Sequence, residues 1–136
     1  MHLSPEQLQQ IEDYLVKNLD PYLIMLFGSA VNGRLRAESD IDLAYLSDRE
    51  MPAYDLFMLS QQIASILRRD VHLLDLDQVS TVMQAQVIAN GKVILDREPP
   101  RRQEFFILVL KKYARLNEER ASILAKIKER GSVFAR

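Results

Sequence analysis

The chain has 136 residues, 48% hydrophobic and 27% charged, which fits one compact globular domain and leaves little room for a second. It contains no cysteine, so disulfides and thiolate-held metals are excluded, and any metal must sit on oxygen or imidazole. The formal net charge of -1 argues against a dedicated nucleic-acid binder, although residues 1–97 carry 14 acids and 8 bases while residues 98–136 carry 5 and 10.

Ser4-Pro5-Glu6-Gln7 reads as a helix start, with Ser4 as the N-cap, Pro5 in the first turn and Gln7 closing a capping box. Leu8, Ile11 and Leu15 follow at helical spacing until Asp20-Pro21 breaks the pattern. Residues 22–27 are an apolar run of strand length, followed by Gly28-Ser29 and a polar stretch containing the turn signal Asn32-Gly33. Residues 41–46 read as a second strand. Leu56, Leu59, Ile63, Ile66 and Leu67 make an amphipathic helix of 52–69. A third strand is expected at 71–76, a helix at 79–90 closed by Gly91 in the C′ position, and a short strand at 92–95. Pro99-Pro100 then separates this mixed region from the tail. Residues 101–130 contain no Pro or Gly and end at Gly131, so they form one long helix or two with a break near Asn117. Strands alternating with helices imply an α/β or α+β class. The first two strands, a dozen turn-rich residues apart, pair antiparallel or cross over tightly.

The chemistry concentrates between Leu26 and Leu43. Gly28-Ser29 stands at a strand end, where glycine lets backbone approach a ligand, and a helical turn starting at Ser29 aims free N–H groups outward. Phosphate would bind those amides and the Ser29 hydroxyl. Asp40-x-Asp42 opens the next strand, and residues i and i+2 share a face, roughly 7 Å apart. Paired carboxylates there suit Mg²⁺, which takes oxygen ligands and shares its shell with substrate phosphates. A triphosphate held between the two features would undergo in-line displacement at its α-phosphate and release diphosphate. Arg34 and Arg36 lie between them, as triphosphate contacts or as solvated charges. The combined pattern with its fixed gap arises by chance in about one in several hundred chains of this length.

Gly-Ser, ten residues, then Asp-x-Asp resembles the signature of the polymerase-beta-like nucleotidyltransferase superfamily. The wider run Leu26-Phe27-Gly28-Ser29-Ala30 and Ser39-Asp40-Ile41-Asp42-Leu43-Ala44 is similar to its minimal nucleotidyltransferase (MNT) branch. The resemblance spans roughly residues 5–97. It implies an α+β fold with a short mixed sheet flanked by helices, a minimal nucleotidyltransferase domain at 1–97; beyond it the chain pattern gives a helical extension at 98–136, packed on that domain or also used to bind a partner. It also implies Mg²⁺, with ATP as substrate. Members of this branch often act as antitoxins beside a HEPN-domain ribonuclease toxin, so a hetero-oligomer and AMP transfer to a toxin tyrosine are implied. Asp40 and Asp42 would be catalytic and hold metal. Gly28, Ser29, Arg34 and Ser39 would bind nucleotide.

One position departs from the family pattern. A later strand usually supplies a third carboxylate, and the matching stretch Val71-His72-Leu73-Leu74 has histidine there. His72 is a metal ligand, a base, or a structural or exposed histidine. Asp75 should face the other side of that strand, and Asp77 should belong to the following turn. Phe105, Leu108, Leu116, Ile123 and Ile127 form an apolar stripe on the tail, which packs on its own domain or on a partner. Two alternatives to the adenylyltransferase remain: an antitoxin that neutralises by binding alone, and a transferase acting on a small molecule or an RNA end. No signal-peptide pattern opens the chain and no apolar run nears the roughly 20 residues of a membrane span. A cytoplasmic protein with no membrane association and no direct nucleic-acid binding is expected.

Overall fold

The computed structural model describes residues 3–28 and 40–134, with side chains as far as 130. Helix α1 (Pro5–Leu19) begins at the anticipated capping box, in which the Gln7 N–H donates to the Ser4 hydroxyl and the Ser4 N–H donates to the Gln7 side chain. It ends at Asp20 in the left-handed region, just before Pro21. Strands β1 (Leu23–Phe27) and β2 (Ile41–Leu46) follow, then helix α2 (Ala53–Leu67), strand β3 (Val71–Asp75), helix α3 (Thr81–Asn90), strand β4 (Lys92–Asp96) and helix α4 (Pro99–Phe134). The sheet order is β3-β2-β1-β4. β1 pairs antiparallel with β2 and β4, and β2 pairs parallel with β3, so the short first connection makes an antiparallel pair.

Strand alternation sorts the apolar side chains onto two faces. Ile24, Leu26, Ile41, Leu43, Tyr45 and Val71 meet Ile11, Leu15 and Leu19 of α1 and Leu59, Ile63 and Leu67 of α2. Leu23, Met25, Ala44 and Leu46 face the other way, against Val87 of α3 and Phe105 and Phe106 of α4. Three local readings are corrected. Gly91 is the C-cap of α3 at an extended φ of -84°, not a left-handed C′ residue. What it supplies is room, since a Cβ there would lie 2.5 Å from the Val87 carbonyl. Pro99 and Pro100 do not separate the tail from the domain; they open α4, because the first helical turn has no use for their missing N–H groups. Finally, α4 is one helix and runs through Gly131 to Phe134.

Among the residues of α4 described with side chains, only those up to Leu116 lie against the domain. Val109 is buried and Phe105, Tyr113 and Leu116 are partly covered, whereas every residue from 117 to 130 is exposed. Within the anticipated stripe Leu108, Ile123 and Ile127 are 50%, 56% and 58% exposed, so packing on the domain stops about halfway along. Arg101 fixes the start of α4: its guanidinium lies 4.0 Å above the Tyr22 ring and makes two hydrogen bonds to Asp48. Arg102 donates to Asp96 at 3.0 Å.

Candidate active site

The site lies where β1 ends and β2 and β3 begin. Asp40 directly precedes β2 and Asp42 is its second residue, so both side chains project to the α3/α4 face, opposite Ile41 and Leu43. Register places Phe27 beside Asp42 on one side and His72 beside it on the other. The His72 ring spans the two acids, with Nδ1 3.3 Å from Asp42 Oδ1 and Nε2 3.5 Å from Asp40 Oδ2. These approaches are longer than optimal hydrogen bonds. The side chains of Asp42, Asp40 and His72 are 25%, 43% and 65% exposed, so the group opens to solvent. Burial pushes the Asp42 carboxyl above its usual range and the neighbouring Asp40 charge adds to this, while His72 pulls it back.

Gly28 closes the group from β1. It has a φ of +77°, and a Cβ built on it would lie 2.5 Å from Asp42 Oδ2. The sequence suggested that this glycine makes room for a ligand; in the structure it also makes room for a carboxylate, and no spacing rule announces such a contact. Ser29, Arg34, Arg36 and Ser39 lie outside the described residues. Asp75 turns away from His72, and its side chain accepts from the Asp77 N–H at 3.0 Å, placing Asp77 in the turn.

Two oxygen donors on one face, one of them held in a setting that disfavours its charge, fit a hard divalent cation that completes its shell with phosphate and water. Among the described residues no set of three His, Asp or Glu side chains is arranged around one ion position. The described arrangement is two carboxylates on one face with the His72 ring across them.

Residues 9–100 match the family model described as polymerase beta, nucleotidyltransferase. Protein adenylyltransferase MntA of Shewanella oneidensis is 35% identical over 102 residues, covering 75% of this chain and 73% of MntA. A chain in the crystal structure of a toxin–antitoxin pair with AMP-PNP superposes with a TM-score of 0.80 at 32% identity, over 88% of this chain and 97% of that one. A chain in the rebuilt structure of the tri-AMPylated Shewanella oneidensis HEPN toxin with its MNT antitoxin gives 0.75 at 30%, over 90% and 96%. The extent of the family match, which carries the aspartate pair and the whole sheet with it, shows that this chain belongs to the polymerase beta nucleotidyltransferase family.

Proposed function

We propose that this chain is the antitoxin of a type VII-like HEPN/MNT pair, a protein adenylyltransferase that moves AMP from ATP to a tyrosine of the toxin ribonuclease. The observation that carries the reading is the common facing of Asp40 and Asp42, with Asp42 held against Gly28. Relatives named a protein adenylyltransferase and found with AMP-PNP or with an AMPylated toxin support it. Asp40 and Asp42 would hold Mg²⁺, and Gly28, Ser29, Arg34 and Ser39 would bind the nucleotide. When bound, the ion supplies positive charge to the triphosphate and to the oxygens that gain charge during displacement. The phenolic oxygen bonds to the α-phosphorus, the α–β phosphoanhydride bond breaks and diphosphate leaves. The phenolic proton passes to water at this exposed face. Residues 1–97 would form the catalytic unit and residues 98–136 a helical extension, in a cytoplasmic hetero-oligomer with the toxin. Among the described residues no helix is long and apolar enough to cross a membrane.

The test is transfer of label from ATP labelled at the α-phosphate to a HEPN toxin. Transfer should require Mg²⁺ and fall at least about a hundredfold in an Asp40→Ala/Asp42→Ala variant, since each lost metal contact removes several kcal/mol of charge stabilisation. Equal transfer by the variant would sink the assignment. One observation favours a second reading, neutralisation by binding alone: a histidine, rather than a third acid, lies across both carboxylates. Under that reading the unaltered chain transfers no label, and the variant still silences the toxin.

A further inference from the structure

β3 is an edge strand; among the described residues only β2 pairs with it. The Ile41 N–H donates to the Asp70 carbonyl at 2.8 Å, and the Leu76 N–H donates to the Tyr45 carbonyl at 3.0 Å. Alternate residues of a strand address the same neighbour, so residues 70, 72, 74 and 76 turn their backbone toward β2. Val71 and Leu73 turn theirs outward. The Asp75 carbonyl accepts from the Gln78 N–H at 3.1 Å, so the open edge is only a few residues long. Along this edge runs a groove of about 470 Å³, walled by Ala53, Leu56, Phe57 and Ser60 of α2 and by residues 70–73. Beside it Phe57 and Tyr54 are 57% and 71% exposed. His72 lines the groove and also reaches both site carboxylates.

We propose that this groove holds the acceptor protein by strand addition: an extended acceptor segment pairs with the outward backbone of Val71 and Leu73 and lays apolar side chains against α2. The inference rests on the adenylyltransferase reading and adds the acceptor's place. Charge selects the occupant. Among the described residues the lining carries one acid, Asp70, and no lysine or arginine, so the groove disfavours a triphosphate and suits a neutral or basic peptide. Geometry selects the acceptor residue. In an added strand, the residue opposite His72 projects to the face that carries Asp40 and Asp42. Its backbone stands two strand spacings, about 10 Å, from that of Asp42. A tyrosine side chain reaches back past the imidazole to deliver its hydroxyl, whereas a serine stops short. The phenolic oxygen then takes the α-phosphoryl group, diphosphate leaves, and the proton goes to water.

The experiment uses the full chain, α-labelled ATP, Mg²⁺ and the Shewanella oneidensis HEPN toxin as probe acceptor. Phe57→Glu puts a charge on the exposed groove wall. Leu73→Pro removes one outward N–H while leaving the β2 ladder intact, since an edge strand tolerates proline where its N–H faces away from the sheet. Each should lower kcat/KM for the acceptor at least tenfold while the nucleotide Kd stays within twofold. Replacing the modified tyrosine of the acceptor by serine should abolish transfer. Phe57→Glu, with an unchanged melting temperature, decides the matter if Leu73→Pro does not fold. Transfer within twofold of normal by Phe57→Glu overturns the groove and leaves the activity standing. No transfer by the unaltered chain ends both.

Discussion

Gly28 shows how one missing side chain sets the site. Its φ of +77° and its contact with the Asp42 carboxylate are two independent demands, and alanine meets neither. Gly28→Ala should cost roughly 1–2 kcal/mol from backbone strain and displace Asp42 from its place beside Asp40. A melting temperature lowered by several degrees, together with a loss of label transfer larger than that of an equally destabilised core variant, is the expected pair of readings; transfer that merely tracks stability would remove Asp42 from the argument. Tyr45 makes the opposite case. It is 1% exposed, and among the described residues its hydroxyl has no hydrogen-bond partner. Burying that group unpaired is unfavourable, so Tyr45→Phe should leave stability unchanged or raise it, as read by urea unfolding. Burial, followed by the nearby Asp75 charge, pushes the phenol up to about 12 from an ordinary 10.0. Because the folded state holds the proton more tightly, stability is intact below pH 10 and falls as pH rises through about 12, by roughly 2–3 kcal/mol in total. The phenylalanine variant should lack that alkaline loss.

At the scale of elements, what was legible depended on whether the signal was local. The capping box at Ser4 and Gln7 announces the start of α1, and the apolar run at 41–46 announces β2, whose Ile41, Leu43 and Tyr45 the structure turns to one core. The same alternation put Asp40 and Asp42 together. Pro99-Pro100 was misread because a proline pair that ends one element also suits the first turn of the next. Gly131 was misread because a glycine inside a helix costs only about 1 kcal/mol and need not end it. Nor does the periodicity of α4 say what its stripe faces: it establishes an amphipathic helix, and the structure shows that coverage ends near Leu116. Removing the chain from residue 117 onward should therefore shift the melting midpoint by no more than about 3 °C, because the described side chains there, 117–130, are all exposed and contribute little burial. A chain that no longer unfolds cooperatively after this truncation would show that the projecting half stabilises the fold.

Taken as a whole, the molecule spends part of its stability on its site. Two carboxylates share a face within reach of one imidazole, and Asp42 is held where its charge is disfavoured. Periodicity and spacing made the pair visible, but not the His72 bridge across it, which follows from the parallel register of β2 and β3 and links residues 30 apart in sequence. An Asp40→Asn/Asp42→Asn chain should melt no lower than the original, since the repulsion is gone and the shapes are kept. The two chains should separate when Mg²⁺ and ATP are added together. A ligand that binds only the folded state at 100 times its Kd stabilises by about 2.7 kcal/mol, which for a domain of this size is a rise of several degrees. That rise should appear in the unaltered chain, require Mg²⁺ and ATP together, and vanish in the double variant. An equal rise in both would mean that the nucleotide is held without the aspartates, and the metal would then have to be sought elsewhere on the chain.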